Sequence, residues 1–158
     1  MAGKLDFHDD PDAPQARSIV PAVSVVVTND AGEILLIRRT DNDNWALPGG
    51  GVEIGESLTR AAVRETQEET GFACEITGLS GIYTDPGHVI LYTSNGEVRQ
   101  EFSVVLTARA TGGQPATSSE SSDVRWTTVD DVDALPMDSS MRLRISHYAE
   151  HRDQPFIG

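Results

Sequence analysis

Gly50-Gly-Val-Glu-Ile-Gly-Glu56-Ser-Leu-Thr-Arg-Ala-Ala-Val-Arg64-Glu65-Thr-Gln-Glu68-Glu69-Thr-Gly71-Phe72 is the stretch on which the reading of this chain turns. Ser57 is a residue type that caps helix N-termini, and Gly71 one that ends helices in the left-handed conformation. A helix between them advances about 100° per residue. Leu58, Ala61 and Ala62 then share one face, and Glu65, Glu68 and Glu69 continue it. Helices normally turn the apolar stripe inward and carboxylates outward. Three carboxylates prolonging the stripe are costly in a partly dry place unless something neutralises them. Hard divalent cations take oxygen ligands, and Mg²⁺ binds through a few carboxylates together with substrate phosphates. The helix alone leaves open a solvated acidic face. Its surroundings favour a site. Pro48-Gly49-Gly50-Gly51 lets backbone approach a ligand closely and expose carbonyls. Glu56 stands where the helix dipole favours a carboxylate, and Arg64 is one turn from Glu68 and able to pair with it.

Outward from the helix, the pattern is strands. Pro21-Ala-Val-Ser-Val-Val-Val-Thr28 is a continuous β-branched run of the kind a buried strand shows. Asn29-Asp-Ala-Gly32 marks a turn, and Glu33-Ile-Leu-Leu-Ile-Arg-Arg39 returns as the hairpin partner. Phe72 to Ala110 reads as strands. Asn95-Gly96 is the dipeptide of a type I′ hairpin, expected to join Val89–Thr93 to Phe102–Leu106. Residues 111–123 read as a loop, 124–128 as a last strand, 129–135 as a short helix and 139–152 as a terminal helix. Residues 1–17, rich in Asp with two prolines, read as a flexible N-terminal arm, and 18–158 as one domain. The class is α+β with a mixed sheet.

Composition narrows the function. The 158 residues carry 12 Lys and Arg against 25 Asp and Glu, a net charge of −13. Such a surface repels polymeric nucleic acid and anionic lipid, though not a small anion carried in with a cation. Cys74 alone cannot form an internal disulfide, no apolar run approaches membrane-spanning length, and residues 1–12 lack a signal-peptide core. These observations lead to the expectation of a cytoplasmic protein with no membrane partner.

The spacing Gly50, Glu56, Arg64-Glu65, Glu68-Glu69, Gly71, Phe72 resembles the Nudix box of the Nudix hydrolases. Thr66 departs from it, standing where the family prefers an aliphatic residue. By the wheel, Thr66 lies to the side of the acidic face. The resemblance extends to Arg39, Trp45 and Leu47-Pro-Gly-Gly50 ahead of the box and to Arg125-Trp126 behind it. It implies an α/β/α sandwich with a mixed central sheet, and Mg²⁺-dependent (or Mn²⁺-dependent) hydrolysis of the pyrophosphate in a nucleoside diphosphate linked to another moiety. Glu65, Glu68, Glu69 and the carbonyl of Gly49 would hold metal. Glu68 is the first candidate for general base and Glu120, in Ser118-Ser-Glu-Ser-Ser122, the second. Arg64 would aim a carboxylate. Arg39, Trp45 and His88 are candidates for substrate contact, each with an ordinary structural reading beside it. Thr84-Asp-Pro-Gly87 is close to the turn of ADP-ribose cleavers, which favours ADP-ribose or a nucleotide sugar. The alternatives are a nucleoside triphosphate pyrophosphohydrolase and a catalytically silent nucleotide sensor. A small nucleotide is the implied partner, and a homodimer is compatible with the family. His147-Tyr-Ala-Glu-His151 matches a zinc pattern but reads as an exposed helix face.

Overall fold

The computed structural model describes residues 3–158. Its strands are β1 (Lys4–His8), β2 (Ser18–Ile19), β3 (Ala22–Thr28), β4 (Ile34–Arg39), β5 (Trp45–Ala46) and β6 (Gly49–Gly51). Helix α1 (Leu58–Thr70) follows, then β7 (Phe72–Tyr83), β8 (His88–Tyr92), β9 (Val98–Gln100), β10 (Ser103–Gly113) and β11 (Ser121–Thr127). A 3₁₀ turn at Asp130–Ala134, helix α2 (Ser139–Ala149) and β12 (Phe156–Ile157) complete the chain.

The central mixed sheet runs β11-β4-β3-β10-β7-β12, with β5 on β4 and β6 on β3. β3 and β10 are parallel at its centre. Both faces of β3 are covered, which is why its sequence is apolar from Ala22 to Val27 apart from Ser24. Val23, Val25 and Val27 pack with Ala61 and Ala62 of α1. Val26 on the other face packs with Ile145 of α2 and Val132 of the 3₁₀ turn. The expected α+β sandwich is what forms.

Three local expectations are corrected. The N-terminal segment, read as a flexible arm, carries β1, paired antiparallel with β8 from Lys4↔Tyr92 to His8↔His88. Met1 and Ala2, which begin that segment, lie outside the described residues. Second, β3 and β4 are joined by the expected turn but pair only at Thr28↔Ile34. They splay because β6 and β10 take the pairing edges of β3 while β5 and β11 take those of β4. Third, β8 pairs with β9 rather than with residues 102–106. Gly96 has φ +73° but Asn95 is not left-handed, so the turn is not type I′. Tyr92 N–H donates to Glu97 O and Gly96 N–H to Tyr92 O, closing a four-residue loop.

A second sheet, β1-β8-β9-β2, stands apart from the central one. Between them opens a cavity of about 810 Å³.

Candidate active site

Helix α1 is capped as its sequence dictates. Ser57 Oγ accepts from Arg60 N–H, and Gly71 adopts φ +82°. Its buried positions are Ala61, Ala62, Glu65, Thr66, Glu69 and Thr70. Glu68 falls roughly 110° from the centre of that stripe, and its side chain is 59% exposed. Thr66, expected at the side, is fully buried and returns its hydroxyl to Ala62 O at 2.8 Å. The rows at i and i+4, 61/62, 65/66 and 69/70, define the buried face, and a residue three beyond Glu65 lies off it.

The structure gathers Glu65, Glu69 and Glu120, one carboxylate oxygen of each lying within 4.8 Å of the others. Glu69 is 5% exposed, and its Oε2 accepts from Gly49 N–H at 3.2 Å. Gly50 leaves room for the Glu65 carboxylate, since a Cβ there would come within 2.7 Å of Glu65 Cδ and push that group aside. Gly49 lies against β3, where a Cβ would stand 2.8 Å from Ser24 Cα. Burial, and then the charge of Glu65 beside it, pushes the Glu69 carboxyl well above the usual range. Burial raises Glu65 as well. A dry carboxylate pair that resists ionisation by itself is a fit for a divalent cation, which would remove the penalty. Glu120 is exposed but anchored, because Thr40 N–H donates to Glu120 O and neighbouring Ser121 Oγ donates to Glu69 O at 2.7 Å.

Arg64 does more than pair with Glu68. It holds Glu56 through two bonds of 3.0 and 2.7 Å, and also reaches Glu65 at 3.0 Å, Glu68 at 3.3 Å and Gly51 O at 3.3 Å. The guanidinium thus ties the helix to the glycine segment, and its hydrogen bonds hold the Glu56 carboxyl down at about 2.

Arg39 lines the cavity, with its guanidinium held by Asp41 at 2.8 and 2.6 Å. Trp45 does not line it. It is buried on β5, with Arg125 stacked 4.5 Å from its ring centre. His88 begins β8 rather than sitting in a loop, and its buried ring lines the cavity between Asp6 (2.7 Å) and Glu101 (3.1 Å). Burial opposes its charge, but these two carboxylates outweigh it and lift His88 to about 9. Glu101 in turn pairs with buried Arg144. Asp85, Pro86 and Gly87 lie outside the lining. Gly87 O accepts from Asp9 N–H instead. His147, from the zinc-like pattern, bonds Tyr83 Oη at 2.9 Å.

Sequence reading missed Lys4, Asp6, Tyr92, Arg99, Glu101 and Arg144. Isolated charges in β1, β9 and α2 carry no spacing signal, because they meet only through tertiary pairing. One clue was available: Lys4 is the only lysine in the sequence.

Residues 19–148 match the family model described as NUDIX domain. The chain belongs to the NUDIX family. It is a hydrolase of the Nudix type, and its relatives include proteins named as pyrophosphatases and diphosphatases. A MutT-like protein of Streptomyces ambofaciens is 38% identical over 75% of this chain and 73% of its own. A Bacillus subtilis protein with 8-oxo-dGTP diphosphatase in its name is 36% identical over 65% of this chain and 62% of its own. An ADP-ribose pyrophosphatase of Methanocaldococcus jannaschii is 45% identical over 44% and 47%. Among solved structures, a NUDIX hydrolase from Nitrosomonas europaea superposes with a TM-score of 0.70 at 22% identity, over 91% of this chain and 81% of that one, which shows the common fold. No helix among the described residues is long and apolar enough to cross a membrane.

Proposed function

We propose that this Nudix hydrolase cleaves the pyrophosphate bond of a nucleoside diphosphate linked to another moiety, with Mg²⁺ as the cation and ADP-ribose or a nucleotide sugar as the favoured substrate. The observation that carries the reading is the meeting of Glu65, Glu69 and Glu120 at one end of a cavity that also presents Arg39. Glu65 and Glu69 would hold the metal, with Glu120 beside them, and the carbonyl of Gly49 and the exposed Glu68 are the further ligands that the family resemblance offers. Bound divalent cations supply charge neutralisation on the diphosphate and favour water attack at phosphorus.

Glu120 is the stronger candidate for general base. Its carboxylate already stands in the cluster on an anchored loop, whereas the Glu68 carboxylate is hydrogen-bonded to Arg64 and stands outside the cluster. Arg64 positions the site by fixing Glu56 and Gly51. Arg39, whose Nε and Nη2 are held by Asp41, has Nη1 left to offer a phosphoryl group. Trp45 serves packing.

A silent sensor is disfavoured, because such a protein has no use for two buried carboxylates that burden its fold. The name of the Bacillus relative supports a second substrate reading, a nucleoside triphosphate cut to monophosphate and pyrophosphate. A panel of ADP-ribose, UDP-glucose, dGTP and 8-oxo-dGTP, with and without Mg²⁺, tests the proposal by product analysis. Mg²⁺-dependent release of AMP and ribose phosphate, or of UMP and sugar phosphate, is the expected result. Binding without turnover across the panel overturns it in favour of a sensor.

A further inference from the structure

We propose that Lys4, on the N-terminal strand, is a substrate-binding residue that grips a phosphoryl oxygen alongside Arg39. The inference rests on the pyrophosphohydrolase reading and extends it to a residue outside the box.

Lys4 lines the same cavity as Glu65, Glu69 and Glu120. It is the only lysine in a chain of net charge −13, and its side chain is only 21% exposed. Each of the other cationic groups of the lining is paired with a carboxylate at hydrogen-bond distance, although the buried Arg144 Nε has no partner among the described residues. Arg39 is held by Asp41, Arg99 by Glu97 at 2.7 Å, Arg144 by Glu101, and His88 by Asp6 and Glu101. Lys4 Nζ has only Asp6 Oδ2, at 3.6 Å, on a carboxylate that already takes His88 at 2.7 Å. Among the described residues Nζ makes no hydrogen bond. An ammonium offers three donors and no acceptor, so its missing partner must present acceptors.

The surroundings say which kind. Next to Lys4, Gly3 packs on Asp41, so that an added Cβ would lie 3.9 Å from Asp41 Cβ, and Asp41 is the residue that grips Arg39. Arg39 feels the charges of both Asp6 and Glu69, and it lines the same cavity as Lys4 and the carboxylate cluster. Burial draws the Lys4 amine down, Asp6 offsets part of this, and Arg39 and Arg144 add to the lowering. Cations brought together with one donor set unfilled favour an anionic ligand over a neutral ring. An oxygen of the diphosphate, approaching Arg39 from the metal side, meets both requirements.

A lone lysine makes the test clean. The intact protein is acylated with an N-hydroxysuccinimide ester, and the Lys4 peptide is followed by mass spectrometry against the α-amine as internal control. Mg²⁺ with inorganic pyrophosphate should slow Lys4 acylation about fivefold or more while adenosine does not. Lys4→Met should raise KM about tenfold with kcat little changed, and Lys4→Arg should restore most of the loss. Acylation at the same rate with pyrophosphate, protection by adenosine instead, or an unaltered KM in Lys4→Met overturns the inference. Turnover by a wild-type protein whose Lys4 stays unprotected refutes Lys4 alone. Protection without turnover of any nucleotide refutes the pyrophosphohydrolase reading and leaves Lys4 as an anion-binding residue.

Discussion

Ser121 Oγ donates a 2.7 Å hydrogen bond to the carbonyl oxygen of Glu69, 52 residues away in sequence. The bond closes the C-terminal turn of α1 onto the start of β11, and so sets Glu120 beside the two helix carboxylates. Both partners are buried. Ser121→Ala leaves a buried carbonyl with one partner fewer, and should cost about 1–3 kcal/mol in urea denaturation. Because Glu120 loses one of its two anchors, the same variant should also bind Mg²⁺ more weakly, read by titration calorimetry.

Glu69 makes stability depend on metal and pH together. Its folded-state value is raised above the ordinary 4.5 by burial and by Glu65. The contribution of the protonated acid is therefore complete below pH 4.5 and is lost as pH climbs through the raised value. Metal-free protein should lose thermal stability from pH 5 to pH 9, and Mg²⁺ should restore it. Glu69→Gln should lessen that decline, leaving the part that belongs to His88, and abolish the Mg²⁺ rescue. Melting curves across pH with EDTA and with Mg²⁺ check both parts.

The attachment of β1 has its own pH window. His88 is lifted from 6.5 to about 9, so its contribution is whole below pH 6.5 and lost as pH rises through 9. Asp6 is opposed by burial, but the His88 hydrogen bond and Lys4 carry it down from 3.8 to about 2. Its contribution is whole above pH 3.8 and lost as pH falls through 2. Hydrogen exchange of the β1 amides should thus be slowest between about pH 4 and 6.5 after correction for intrinsic rates. His88→Gln should remove the alkaline limb.

Arg64→Ala should release the glycine segment. Glu56 and Glu65 lose their shared guanidinium, and Gly51 O loses a donor. A kcat loss of about tenfold or more is expected with Arg64→Lys recovering little, since a point charge cannot reproduce the fork. Steady-state kinetics on whichever panel nucleotide is cleaved reads this.

The helix and its carboxylates were legible because 3.6-residue geometry acts within one segment. Ser57, Gly71, Glu65 and Glu69 do what their spacing implies. Glu68 falls off that face because the buried row of the helix is the one that includes Thr66 and Thr70. β1 was illegible. Its aspartates look like solvent-seeking residues, yet Asp6 is satisfied by His88, 82 positions away. Asn95-Gly96 does lie in a hairpin turn, but its strand partner is β9 and its type is not I′, because the pairing of β8 with β9, and not the dipeptide, sets the loop at four residues.

The most direct test is a crystal grown with Mn²⁺ and a non-hydrolysable ADP-ribose analogue, read by anomalous scattering. A Mn²⁺ peak within bonding distance of Glu65 and Glu69, with the diphosphate on its open side, is the expected result. A peak elsewhere, or Glu65 and Glu69 bonded to each other with no ion beside the diphosphate, would contradict it.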